Sequence, residues 1–401
     1  VAWVSLLGYK QEWSVKPAQA RNVSTEGSVQ FVARGGVDLG RTACSAKKRR
    51  SCVTDFKLKN TTPDGLISEL DLGDFTATWV GEFPPGHGVA FGAEDGQILL
   101  VNKDGEMSRG TTETDEAING LAFMPTWMGV STRNEVHFVD MPRGEFVPVR
   151  YGAHGVIVGP DGYFLAPLGT TGLLFFKPMK GQNLPVTISH PRNGDVNFYR
   201  VVSLTGPSGQ QVIAAATRRN GIAAMPFDSP ERGLHTLTFD ALDAIDLCPL
   251  GKSSLSVAAL GRDGTITMCR DVIEETLARQ ASVTTRLPDI RGTAYRILNA
   301  TGDLIVVTSQ AIYFLREMAT NFLKRKTGPV TVLKFPIKAI DANIVNDSWL
   351  MIVTSRGVLR LDLRRLNWGQ QRPSGQERRV SELPILSPAW KGQNVEQLVG
   401  A

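Results

Sequence analysis

Seven tight hairpin tips recur along the chain at near-even spacing, and this limits what it can fold into more than any other feature. They fall near Asp95, Arg133, Thr171, Asn220, Asp263, Gln310 and Arg356, at intervals of 38, 38, 49, 43, 47 and 46 residues. The mean, about 43, is the length of one four-stranded unit of a radial array, whose members bury their faces against one another. The clearest copy is VAALGRDGTITMCRD, from Val257 to Asp271; Val89–Asn102 (VAFGAEDGQILLVN) and Leu350–Asp362 (LMIVTSRGVLRLD) repeat it. In each an apolar run meets a polar turn and then a second apolar run. The Asp-Gly and Arg-Gly pairs supply the positive-φ residue that a tight hairpin demands.

An apolar segment precedes six of these hairpins, at 118–124, 154–158, 198–204, 244–250, 294–300 and 340–345. A more polar, alternating segment follows five of them, at 146–151, 184–189, 234–239, 282–287 and 330–335. Labelled a to d in chain order, strands a to c are apolar on both faces, as sheets stacked on sheets require, and d alternates as an edge does. A sandwich would leave one face of every strand wet. The pattern predicts an all-β chain, a seven-bladed β-propeller with N- and C-terminal extensions. After 358–363 the last blade has no d strand, and the alternating segment 53–59 (VTDFKLK) is expected to supply it and close the ring.

The segments LGRDGTITMCRDV and AEDGQILLVNKDG resemble the b–c hairpin of a WD repeat, and the resemblance covers roughly residues 53 to 366. No Trp-Asp dipeptide ends a c strand, and no Gly-His pair precedes the blades in the usual register. The resemblance implies a WD-like architecture and the role of a rigid interaction platform. The family's Asp-His-Ser/Thr-Trp network is not carried over.

The organisation expected is an N-terminal extension at 1–52, a propeller at 53–366 and a tail at 367–401. The extension opens on Trp3, Leu6, Leu7, Tyr9 and Trp13, an apolar docking segment, and holds the basic run 47–50, read as a solvated loop. The tail is rich in Gln, Arg, Pro and Ser until Leu383–Leu386 and Trp390, which read as a docking peptide. Two c–d connections, 272–280 and 316–326, favour helix.

The chemistry-bearing residues are sparse. Of four cysteines, Cys248 and Cys269 lie in apolar strands and read as buried thiols, while Cys44 and Cys52 read as free thiols in a loop that would pair only in an exported protein. The five histidines (His87, His137, His154, His190 and His235) show no metal-ligand spacing. Glu113, Asp115 and Glu116 read as a solvated acidic loop. Nucleophile-elbow, P-loop, zincin and EF-hand patterns are absent, so no catalytic residue, metal or cofactor is assigned and the chain is not read as an enzyme. No apolar run is long enough to span a membrane, and a cytoplasmic setting is expected.

One constellation emerges from the expected topology, which opens b–c turns and d–a loops on the same face. The turns carry Arg133, Arg218, Arg219, Arg262 and Arg356; the loops add Arg192 and Arg291. The opposing acids are Asp95, Asp195, Asp263 and Asp289. Guanidinium forks suit carboxylate and phosphate. The function expected is a non-catalytic protein-interaction scaffold or sensor within a larger assembly. The alternative is an electrostatic binder of nucleic acid or of phosphorylated or acidic segments, with a net charge of +5 compatible with either. A propeller hydrolase is the least favoured reading.

Overall fold

Along the b and c strands nearly every side chain is apolar, so each sheet needs cover on both faces. In the fifth sheet Ala258, Leu260, Ile266 and Met268 point one way, and Val257, Ala259 and Cys269 point the other. Alternation of this kind follows from the strand's two-residue period. A closed ring of sheets meets the demand, and the computed structural model forms one. It describes residues between Leu58 and Arg365, apart from 62–65, 84–87, 103–104, 113–114, 179–185, 190–196, 219–220, 228–234, 238–242, 274–281, 288–289, 317–329 and 335–337.

Seven antiparallel sheets run round the ring. Their innermost a strands are Ala77–Glu82, Gly120–Phe123, Ile157–Val158, Asn197–Thr205, Ala244–Pro249, Ala294–Ala300 and Ala339–Val345 for blades 1 to 7. Seven apolar clusters fill the seven gaps, each drawing residues from two neighbouring blades. Between blades 2 and 3 the filling is aromatic, with Phe138 stacked on Phe176 at 4.0 Å and tilted against Phe164 at 5.2 Å. Burying one such side chain is worth about 1.5–3 kcal/mol. The fourth strands become wetter, as expected: Val283–Arg286 in blade 5 alternates between half-buried and exposed residues. Burial pushes the Cys269 thiol up to about 12 and raises Cys248 further; both are free.

A main-chain stitch joins neighbouring blades at the start of strand a. The N–H groups of Ile118, Ala153, Phe198 and Ala339 donate to carbonyls at the preceding blade's b–c tip, those of Ala93, Thr132, Gly169 and Ser309, at 3.0–3.2 Å. This bond sets a common register where it occurs, at the a strands of blades 2, 3, 4 and 7. Near their starts, five of the seven a strands carry a one-residue irregularity: at Ala77/Trp79, Phe198/Arg200, Ala244/Asp246, Ala294/Arg296 and Ala339/Asp341. Such bulges twist a strand and re-aim the next side chain.

The ring closes through an N-terminal strand, but not through 53–59. Ile67–Leu70 pairs with Gly357–Asp362 in the register Ile67↔Leu361 to Leu70↔Val358. Leu58–Thr61 lies outside it as a fifth strand. The reason is packing: Ile67 fills the gap towards blade 6 and Leu70 the gap towards blade 1. Described residues of 53–59 begin at Leu58, which is 37% exposed and serves the outermost strand. The described residues contain no α-helix. The expected helices at 272–280 and 316–326, the extension, the tail, Cys44 and Cys52 lie wholly or almost wholly outside them.

Candidate binding face

Two turn chemistries build the b–c tips. In blades 1 and 5 an Asp-Gly pair turns the chain with Gly96 at φ 75° and Gly264 at φ 81°. The aspartates serve their own turns. Asp95 accepts from the Gln97 main chain at 3.2 Å and Asp263 from the Thr265 N–H and hydroxyl at 3.0 and 2.8 Å. Burial works against ionising Asp263, but the Thr265 hydrogen bonds outweigh it and hold the carboxyl below its usual range. In blades 4, 6 and 7 a threonine ends strand b instead. Thr217 and Thr354 donate across the turn to the carbonyls of Gly221 and Gly357 at 2.9 and 2.8 Å, and the Thr308 hydroxyl oxygen accepts from the Ala311 N–H at 2.9 Å.

These tips, with the d–a loops, occupy one end of the ring, because a strands start there and b strands end there. Arg133, Arg218, Arg262 and Arg356 sit at b–c tips of blades 2, 4, 5 and 7, and Arg291 precedes strand a of blade 6; all five are exposed. Arg291 is pinned through its main chain, its N–H donating to the Tyr313 hydroxyl at 2.8 Å and its carbonyl accepting from Thr308 at 2.6 Å. Arg262 is committed sideways: its Nε lies 3.4 Å from Asp243 and its guanidinium 5.9 Å from the Tyr199 ring. Arg192, Arg219, Asp195 and Asp289 lie outside the described residues. Glu116 is tied to Thr132 at 2.6 Å and to Asn134, and these bonds hold its carboxyl below the usual range. His137 is buried with Nε2 3.2 Å from Glu135. Among the described residues no group of three or more His, Cys, Asp or Glu is placed to hold a metal, and no helix is long and apolar enough to cross a membrane.

A second polar system, missed in the sequence, lines the axis. Counting from the stitched residue or its equivalent, the third positions in or just before the a strands are Trp79, Gly120, Gly155, Arg200, Asp246, Arg296 and Asp341. The last four alternate in charge and link consecutive blades. Arg200 Nε lies 3.4 Å from Asp246, Arg296 Nη1 lies 4.0 Å from Asp246, and Arg296 donates to Asp341 at 2.7 Å. Both acids also reach forward to the next blade's main chain: Asp246 accepts from the Ile297 N–H at 2.8 Å and Asp341 from the Val80 N–H at 3.2 Å. Burial pushes both carboxyls up, Asp246 further, because no donor reaches its Oδ1 with hydrogen-bond geometry.

No family model matches the chain, and no curated protein does. Solved structures do. The β-propeller domain of Cps50 (Swd1) from Myceliophteria thermophila superposes with a TM-score of 0.58 at 14% identity, over 73% of this chain and 98% of that one. U3-55K gives 0.56 at 9% identity, over 76% and 100%. The WD40 β-propeller domain of Doa1 gives 0.52 at 14%, over 73% and 95%. At these identities the likeness shows the fold alone, a β-propeller.

Proposed function

We propose that the chain is a non-catalytic interaction platform, part of a larger assembly in the cytoplasm, and that its arginine-bearing face holds an acidic segment of a protein partner. The observation that carries this reading is the gathering of exposed Arg133, Arg218, Arg262, Arg291 and Arg356 at one end of the ring, from blades far apart in sequence. Their carriers are short turns braced by Asp or Thr, so the cations stand on a stiff frame. The β-propeller fold shared with the superposed structures agrees with a platform role.

A charge-reversal series tests it. The probe is a fluorescein-labelled peptide of about twelve residues alternating Glu and Gly, followed by anisotropy as salt rises from about 50 to about 300 mM. Arg133→Glu, Arg218→Glu and Arg291→Glu together should weaken binding by about tenfold or more and flatten the salt dependence. Equal affinity of variant and wild type would remove the reading.

A further inference from the structure

The line of charges beside the axis ends unevenly. Arg296 is satisfied: its Nε and Nη2 both lie 2.7 Å from Asp341 Oδ1. Asp246 and Asp341 each accept a main-chain N–H from the next blade. Arg200, at the start of the line, has one ion-pair contact among the described residues, Asp246 at 3.4 Å, and Asp246 is shared with Arg296. Among the described residues no hydrogen bond reaches its guanidinium. Its side chain is 23% exposed, and its nitrogens keep contact with solvent. Burial pushes the Asp246 carboxyl up, which weakens the counter-charge behind Arg200.

The cation lies close under the arginine face. Phe198, two residues earlier, is stitched to the tip carbonyl of Gly169. The rise of a strand then sets the Arg200 main chain about 7 Å below the tips. On the blade 3 side stands Gly155, at φ 147°, where a Cβ would come within 3.1 Å of Arg200 Nη1. Across the axis no carboxylate competes for the guanidinium. The third positions of blades 1 to 3 are Trp79, Gly120 and Gly155, and the second positions are Thr78, Asn119 and His154. Partial burial lowers the His154 pKa, so that imidazole is neutral at neutral pH.

We infer that Arg200 is the anchor of the arginine face, a receptor at the mouth of the axis for one Glu or Asp carboxylate of the partner's acidic segment. The inference rests on the platform reading and adds the point at which that segment is held most firmly. A guanidinium offers parallel donors that match a carboxylate. The tip arginines are exposed, and an ion pair formed there is screened and worth little. Arg200 is mostly buried and backed by Asp246, so a pair formed with it gains from a lower dielectric and from a donor already in place. One cation short of counter-charge calls for one negative charge. A phosphate dianion would bring a second, close to Asp246.

The test uses the full chain and the same Glu-Gly peptide. Phenylglyoxal, which modifies guanidinium groups that solvent reaches, is applied with and without the peptide, and the modified positions are read by mass spectrometry. Arg200 should react in the free protein, and peptide at about ten times its Kd should slow that reaction about tenfold. In the anisotropy assay Arg200→Gln should weaken binding about tenfold and Arg356→Gln, at an exposed tip, about twofold. An Arg200 that does not react in the free protein would overturn this inference and leave the platform reading standing. So would an Arg200 that reacts equally with peptide bound while the tip arginines are shielded, or equal losses from the two substitutions. A phosphoserine-glycine peptide of equal net charge that bound more tightly would overturn the choice of carboxylate. Failure of wild type to bind the Glu-Gly peptide at low salt would remove both readings. The modification arm needs no variant, so a folding defect in Arg200→Gln, visible as a lowered melting temperature, leaves the inference falsifiable.

Discussion

The a strands of blades 4 to 7 and those of blades 1 to 3 solve one problem in two ways. Each must join its blade to the next beside the axis. In the first arc the third positions carry Arg200, Asp246, Arg296 and Asp341, and buried ion pairs bridge the gaps. In the second they are Trp79, Gly120 and Gly155, and neutral second-position side chains take over. Thr78 donates to the Ile118 carbonyl at 2.8 Å and Asn119 to the Ala153 carbonyl at 2.6 Å. A Cβ on Gly120 would fall 2.8 Å from Gly155 Cα, so blades 2 and 3 touch main chain to main chain. In the other arc long charged side chains fill the gaps and pair because neither sign could be buried alone.

The comparison breaks most sharply at Arg296. Arg296→Met leaves Asp246 and Asp341 buried with their shared cation gone, and urea unfolding should show a loss of about 3–5 kcal/mol. A loss below about 1 kcal/mol would mean that the charged arc is ornamental. Gly120→Ala probes the other arc. Its new methyl meets Ser131 Oγ, the Val156 N–H and Gly155 Cα at 2.5–2.8 Å, so overpacking should cost about 1–3 kcal/mol. Full stability would show that blades 2 and 3 can move apart.

A smaller effect of the charged arc varies with pH. Burial, and behind it the charge of Asp341, hold the Asp246 carboxyl well above its ordinary value of 3.8. A carboxyl raised by folding stabilises fully below its unfolded pKa, and that contribution is lost as pH rises through the folded value. Asp246→Asn cannot titrate. The stability advantage of wild type over this variant should therefore shrink as pH rises above the ordinary carboxylate value. An advantage that grows would show that Arg200 and Arg296 outweigh burial. Smallest is Thr78→Val, which removes one hydrogen bond between neutral groups and should cost about 1 kcal/mol. A loss as large as that of Arg296→Met would erase the distinction between the arcs.

How much of this was legible depends on whether a signal is local. All seven b–c tips were readable, because Gly, Asp and Thr at turns act within a few residues of themselves. Strand a of blade 6 was expected at 294–300 and spans Ala294–Ala300. The closing strand was misplaced because Ile67–Leu70 is four residues long and divides its apolar side chains between two gaps, whereas 53–59 alternates over more residues. The third-position ring was invisible one strand at a time, since each contributes a single charge amid apolar residues. Stacking the strands in register would have exposed it: Tyr199-Arg200, Ile245-Asp246, Tyr295-Arg296 and Ile340-Asp341 alternate in both columns. For the arginine face, the end of the ring followed from the order of strands alone.

The strand at Ile67–Leu70 also decides how the molecule would respond to tension. The first and last described segments, Leu58–Thr61 and Gly357–Asp362, belong to the same sheet. A load applied at Leu58 and Asp362 would fall on blade 7, first on the pairing of Leu58–Thr61 with Ile67–Leu70 and then on the four residue pairs from Ile67↔Leu361 to Leu70↔Val358. That seam is the clasp of the ring: it would part before the other six sheets felt the pull.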